Sequence, residues 1–178
     1  MNLLHKVIMI SGAPGSGKTT LAKALAAKLS FALLSKDIIK ETLFDNLGKE
    51  NSDLIENRKM GGASMELLWK LAGHCPQVII EANFRPASAY ERSKIEALNC
   101  QLIEIYCRCS PEESMRRFAE RASVSNHHSA HTLKTLPPKL LAEYNGPVGI
   151  GKVIEVDTER PLNIEEIADR INGLWISI

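Results

Sequence analysis

An α/β domain of three layers, with a parallel sheet between two sets of helices, is the fold this sequence predicts. Three observations predict it. Short apolar runs alternate with helical patterns along the whole chain, which is the mark of βαβ units. The first apolar run passes through a glycine-rich loop straight into a helix rich in Ala, Leu and Lys. The 178 residues suffice for one domain with a substantial core, and they contain no internal repeat, low-complexity tract or polar linker.

The elements follow in order. Val7 to Ile10 is the first strand and Thr19 to Leu29 the first helix. Phe31 to Leu34 is a second strand, followed by a helix over Ile38 to Phe44. Asn46 to Asn51 offers turn residues, and Ser52 is placed to cap a longer helix through Leu71. That helix has Met65, Leu68, Trp69 and Ala72 at core-facing spacing, while Gly61-Gly62 weakens its middle. Val78 to Glu81 is the third strand, Ala87 to Leu98 a helix, and Leu102 to Cys107 the fourth strand. Ser110-Pro111-Glu112-Glu113 has the form of a capping box opening a helix to about Ala122. Met115, Phe118, Ala119 and Ala122 are its expected inner face. Ser123 to Thr132 reads as a polar, His-rich loop. Pro138 to Tyr144 is helical, Val153 to Val156 a fifth strand, and Ile164 to Leu174 the last helix.

Composition narrows the partners. The formal net charge of +1 gives no broad electrostatic surface for nucleic acid or membrane. The N-terminal apolar run is too short for a signal-peptide core, and no run of about twenty apolar residues is present. Cys75, Cys100, Cys107 and Cys109 lack paired metal-ligand spacing and read as reduced thiols of a cytoplasmic protein. The expected assembly is a monomer or homodimer.

Gly12-Ala13-Pro14-Gly15-Ser16-Gly17-Lys18-Thr19 matches G-x-x-x-x-G-K-[ST] in full. Glycines let the backbone curl so that successive N–H groups face phosphate oxygens, and the helix beginning near Gly17 adds its N-terminal dipole. Lys18 supplies a cation to the β- and γ-phosphates, and the Thr19 hydroxyl is placed to hold Mg2+. With a strand before it and a helix after it, the loop points to a purine nucleoside triphosphate, Mg-ATP. A P-loop alone does not choose between phosphoryl transfer, hydrolysis and a nucleotide-dependent switch.

Beyond that loop the chain resembles the small P-loop kinases, the group of shikimate and gluconate kinases, chloramphenicol phosphotransferase and zeta-toxin-like predicted kinases. The resemblance rests on Gly12 to Thr20, Ser35-Lys36-Asp37 with the helix after it, Val78 to Phe84, Cys107 to Arg121, and Val156-Asp157-Thr158. It implies a P-loop NTPase fold with strand order 2-3-1-4-5, a mobile lid over about residues 116–131, and a hydroxyl acceptor for the γ-phosphate. A zeta-toxin-like activity would make that acceptor a nucleotide sugar.

The resemblance carries specific roles. Asp37 orients or deprotonates the acceptor; its competing role is to cap the following helix. Glu81 stands where a metal-linked Asp is usual and would reach Mg2+ through water. Asn83 and Arg85, with Arg58, would contact the acceptor, or Asn83 and Arg85 simply form a turn. Arg116, Arg117 and Arg121 include the phosphate clamp, with Arg117 and Arg121 assigned to it; the alternative is a solvated helix face. His127, His128 and His131 lack a frame for metal binding and fit a mobile, solvated loop. The loop after Val156 would lie near the base.

Overall fold

The computed structural model of the chain describes residues 5–48, 54–123 and 128–176. Ser52, expected as a cap, and His127 lie outside the described residues. One sheet contains β1 (Lys6–Ser11), β2 (Ala32–Ser35), β3 (Gln77–Glu81), β4 (Gln101–Arg108) and β5 (Lys152–Asp157). Its strands are all parallel, in the order β2-β3-β1-β4-β5, as the resemblance implies. The helices are α1 (Lys18–Leu29), α2 (Lys36–Leu47), α3 (Leu54–Ala72), α4 (Ala89–Leu98), α5 (Pro111–Ser123), α6 (Pro138–Ala142) and α7 (Ile164–Ile176).

The apolar run of β1 is continuous because both faces of the sheet are covered. Strand alternation sends Ile8 and Ile10 to one side, against Leu21 and Leu25 of α1 and Ile167 and Ile171 of α7. Val7 and Met9 go to the other side, against Leu68, Trp69 and Ala72 of α3, Ile95 of α4, and Phe84. All four β1 side chains have no solvent exposure, and burying each is worth about 1.5–3 kcal/mol. This packing places the loop after β1 on an unyielding base.

The register brings functional ends level. Ile10 and Ser35 both pair with Glu81 across the sheet. The loop after β1, the start of α2 and the end of β3 therefore share the C-terminal edge, where open α/β sheets bind ligands. On β4, fully buried Glu104 accepts from Ser11 Oγ at 2.5 Å and from the Val148 and Gly149 amides at 2.7 and 2.8 Å. Those three donors satisfy its charge and tie the segment before β5 to the last residue of β1.

Two expectations need correction here. First, α2 begins at Lys36, with Ser35 at its N-cap position. Asp37 lies inside the first turn, so it is not the cap. Second, the inner stripe of α5 is shifted. Ser114 and Ala122 are buried, Phe118 is half-buried and Ala119 is exposed. The cause is the close approach of α5 to the glycine loop: a Cβ at Gly15, whose φ is +84°, would overlap the Ser114 carbonyl.

α3 runs without a break through Gly61-Gly62. A Cβ at either position would meet nothing within 4 Å. Glycine in a helix interior costs about 0.5–1 kcal/mol relative to alanine. Gly62→Ala is therefore expected to raise stability by about that amount, read as a higher denaturant midpoint with unchanged slope. A lower midpoint would mean that the glycine is needed for something other than open space along α3.

Among the described residues, no helix is long and apolar enough to cross a membrane.

Candidate active site

The loop between β1 and α1 curls on three glycines with positive φ, Gly12 at +133°, Gly15 at +84° and Gly17 at +83°. The Ser16 amide closes a turn on the Ala13 carbonyl at 3.1 Å. A Cβ at Gly12 would come within 2.7 Å of the Cys107 carbonyl and 2.8 Å of Ser16 Oγ. Neighbouring backbone thus fills the outside of the curl. Ser16 Oγ is buried and has no protein partner among the described residues. Gly17 is the N-cap of α1, and no side chain caps that end, so its free N–H groups face into the loop.

Lys18 is 6% exposed, and its Nζ donates to the Ala13 carbonyl at 2.6 Å. Burial holds its ammonium below the ordinary lysine range, opposed by the negative charges of Glu81 and Asp37. The Thr19 hydroxyl donates to Glu81 Oε1 at 3.3 Å, and Ser35 Oγ donates to Glu81 Oε2 at 2.7 Å. One buried carboxylate therefore spans the glycine loop and the end of β2.

A cavity of about 860 Å3 opens above these groups. Its wall brings together Lys18, Thr19, Thr20, Asp37, Glu81, Asn83, Arg117 and Arg121, with Pro14, Gly15 and Gly17 of the loop. Gly12, Ala13 and Ser16 shape the loop without lining this cavity. Burial raises the Asp37 carboxyl, but Lys36, His131 and Lys18 outweigh it, so Asp37 ionises below the ordinary aspartate range. Its nearest cation is Lys36 Nζ, at 3.2 Å.

The three arginines of α5 go to different places. Arg117 lies over Gly17, and it donates to the Thr158 carbonyl at 3.0 Å and to Glu113 at 2.6 Å. Arg121 stacks on Phe118 at 5.5 Å and lies close enough to Lys18 to depress it. Arg116 is spent on Glu113 and Glu120 at the surface.

Two expected acceptor residues are outside the cavity wall. Arg85 donates to Glu143 at 3.0 Å and stacks on Tyr144, so that acid has drawn it away. Arg58 is exposed, because the inner stripe of α3 runs through Asn57, Ser64, Leu68 and Ala72. Asn57 is instead the buried polar residue of that stripe, donating to the Ala130 carbonyl at 3.1 Å. Lys40 of α2 donates to the same carbonyl at 2.7 Å.

His128 and His131 are likewise not free in solvent. His128 meets Asp45 at 3.1 Å and His131 meets Glu41 at 2.8 Å, both on α2. The described end of the expected lid therefore rests on α2 and α3, over the cavity. Nothing local in the sequence marks these long-range partners.

The residues fit a nucleotide triphosphate with a divalent cation. The curled loop, Lys18 and Arg117 present donors and positive charge to phosphate, and unpartnered Ser16 Oγ is within the same loop. The Thr19 hydroxyl and Glu81 carboxylate supply hard oxygen ligands suited to Mg2+. Among the described residues, no group of three His, Cys, Asp or Glu side chains could hold a metal without a nucleotide's help.

Comparison with known proteins agrees with this geometry. The profile of a family described as AAA domain matches residues 7–137. A probable adenylyl-sulfate kinase from Archaeoglobus fulgidus is 34% identical over 119 residues, which span 62% of this chain and 72% of that protein. A cytidylate kinase from Sulfolobus acidocaldarius is 30% identical over 126 residues, spanning 66% of this chain but only 63% of its own length. Among solved structures, a provisionally assigned kinase from Chloroflexus aurantiacus superposes with a TM-score of 0.79 at 28% identity, covering 94% of this chain and 97% of that one. A gluconokinase from Sinorhizobium meliloti shares the fold, with a TM-score of 0.60 at 17% identity over 96% of this chain and 92% of that one. The chain therefore belongs to the AAA-domain family, among the small P-loop kinases.

Proposed function

We propose that this protein is a phosphotransferase that moves the γ-phosphate of Mg-ATP to a hydroxyl of a small polar molecule. The observation that carries the reading is the shared wall of one cavity: Lys18 and Thr19 stand with Asp37, an ionised carboxylate about which no phosphate-binding need is evident. A plain nucleotide-binding switch has no use for a carboxylate there.

Each residue then has a task. The loop amides, Lys18 and Arg117 grip the triphosphate, and Arg117 also props the loop at Thr158, which in this reading lies near the base. Mg2+, when bound, neutralises charge on the transferring phosphate; Thr19 would hold it, with Glu81 acting through water. Asp37 accepts the acceptor's hydroxyl proton while its oxygen bonds the γ-phosphorus. The bond from that phosphorus to the bridging oxygen breaks, and ADP leaves with the electron pair. Arg121 stabilises the spread charge. Asn83 orients the acceptor. Residues 116–131 form the lid of what we take to be a single kinase-like domain over residues 1–178, and closure excludes water from the transfer.

The test is ADP release across a set of hydroxylated metabolites, with adenylyl sulfate and cytidylate included because relatives are named for them. A kinase shows ADP release that depends on one acceptor class and matches phosphorylated product one to one. ADP release that is indifferent to every acceptor would leave only an ATPase.

A further inference from the structure

The cavity wall carries its positive charge in two separate places, and the glycine loop explains only one of them. Among its described residues are six lysines and arginines but three carboxylates. Lys18 and Lys23 belong to α1 after the glycine loop, and Arg117 and Arg121 to α5. Lys36 and Lys40 are elsewhere. They lie one turn apart on α2, beside the edge strand β2, with β3 and its Glu81 between them and β1.

Their neutralisation is incomplete. Lys36 shares Asp37 at 3.2 Å. Lys40 donates to a neutral carbonyl, that of Ala130, and the two ammonium groups repel each other. Glu41, the other carboxylate on this wall of α2, accepts from His131. When Asp37 takes a proton from the acceptor, Lys36 loses its counter-charge as well.

We propose that the acceptor is itself an anion: an alcohol bearing a phosphate or carboxylate group, which is held between Lys36 and Lys40 while its hydroxyl lies at Asp37. The inference rests on the kinase reading above. It adds the substrate class, and it gives a role to two lysines beside Asp37 on a helix separate from the glycine loop. A cation pair of this kind grips negative oxygens by charge-assisted hydrogen bonds and leaves a neutral alcohol without them.

The experiment compares matched acceptors that differ in one group: glycerol, glycerate and glycerol 3-phosphate, then glucose, gluconate and glucose 6-phosphate. Each is measured for transfer, and for binding by calorimetry with the protein saturated by a non-hydrolysable ATP analogue. The anionic members should exceed their neutral partner by about tenfold or more in kcat/KM or affinity. The phosphate and carboxylate arms show which anion is preferred.

In the Lys36→Gln, Lys40→Gln double variant that preference should collapse through acceptor KM, with the KM for ATP unchanged. Lys36→Gln alone keeps the Lys40 clasp on Ala130 and should lose part of the preference, which guards against a misfolded double variant. Anion binding that vanishes in the variant, without any transfer, would retain the subsite and sink the kinase. Equal treatment of neutral and anionic members in both measurements, or a preference untouched by the substitutions, would overturn the subsite itself.

Discussion

Replacing Asp37 with asparagine is expected to cut phosphoryl transfer by about 10²–10⁴-fold, the usual worth of a positioned general base, while leaving nucleotide affinity nearly unchanged. The contrast follows from the roles proposed above. Asp37 belongs to α2 and not to the glycine loop, and its carboxyl is kept ionised by Lys36, His131 and Lys18 against the opposing effect of burial. Asparagine matches it in size and removes only the charge and basicity. Because Ser35 rather than Asp37 occupies the N-cap position, no cap is lost. The structural costs are a first-turn carboxylate at the positive end of the helix dipole, about 0.3–1 kcal/mol of stability, and the part-exposed ion pair with Lys36, which contributes little. Single-turnover transfer with a saturating acceptor reads the effect directly. A rate within a few fold of the native protein would remove Asp37 from the chemistry and make Glu81 the next candidate base.

Lys18→Ala should weaken nucleotide binding by about 30-fold or more, the low end of what removing one partner of a buried, hydrogen-bonded charge pair costs. Folding should survive. In the structure the Lys18 ammonium is bonded to the carbonyl of Ala13 in its own loop, and its burial without a full counter-ion already disfavours its charge. Alanine relieves that strain and opens space where Nζ stood. Calorimetric titration of the ATP analogue into both proteins, beside their thermal melts, separates the two effects. Unchanged affinity with an intact melt would mean that Lys18 does not touch phosphate.

Legibility varied along the chain for physical reasons. The first strand, the glycine loop and α1 were plain, because a phosphate cradle demands those residue types in that order. The alternation of strands and helices foretold the parallel sheet. Ser110 does cap α5, accepting from the Glu113 amide at 3.4 Å. The reciprocal arm of the expected capping box is missing: the Ser110 amide donates to Glu159, and Glu113 takes Arg116 and Arg117 instead. The Ser110–Glu159 bond, like the capture of Arg85 by Glu143 and the docking of His128 and His131 on α2, joins residues distant in sequence. No local pattern contains it. The inner face of α5 departs from its apolar periodicity for a related reason. Periodicity shows which residues share a face, but it cannot show that the neighbour is a glycine loop lying against the Ser114 backbone.

The contact between Gly15 and Ser114 bears on how this loop can drift. A pattern written G-x-x-x-x-G-K-[ST] counts position 15 as free, so serine or alanine there would still satisfy any search for the motif. In this chain the substituent would run into backbone, which cannot rotate away as a side chain can. Any change at Gly15 therefore has to be preceded by a retreat of the first turn of α5, and that turn carries Glu113, the partner of Arg116 and Arg117. The freedom of a letter in the nucleotide loop is thus decided about a hundred residues away, and a library that randomises Ala13 to Ser16 alone would recover glycine at 15 unless Pro111 to Ser114 varied with it.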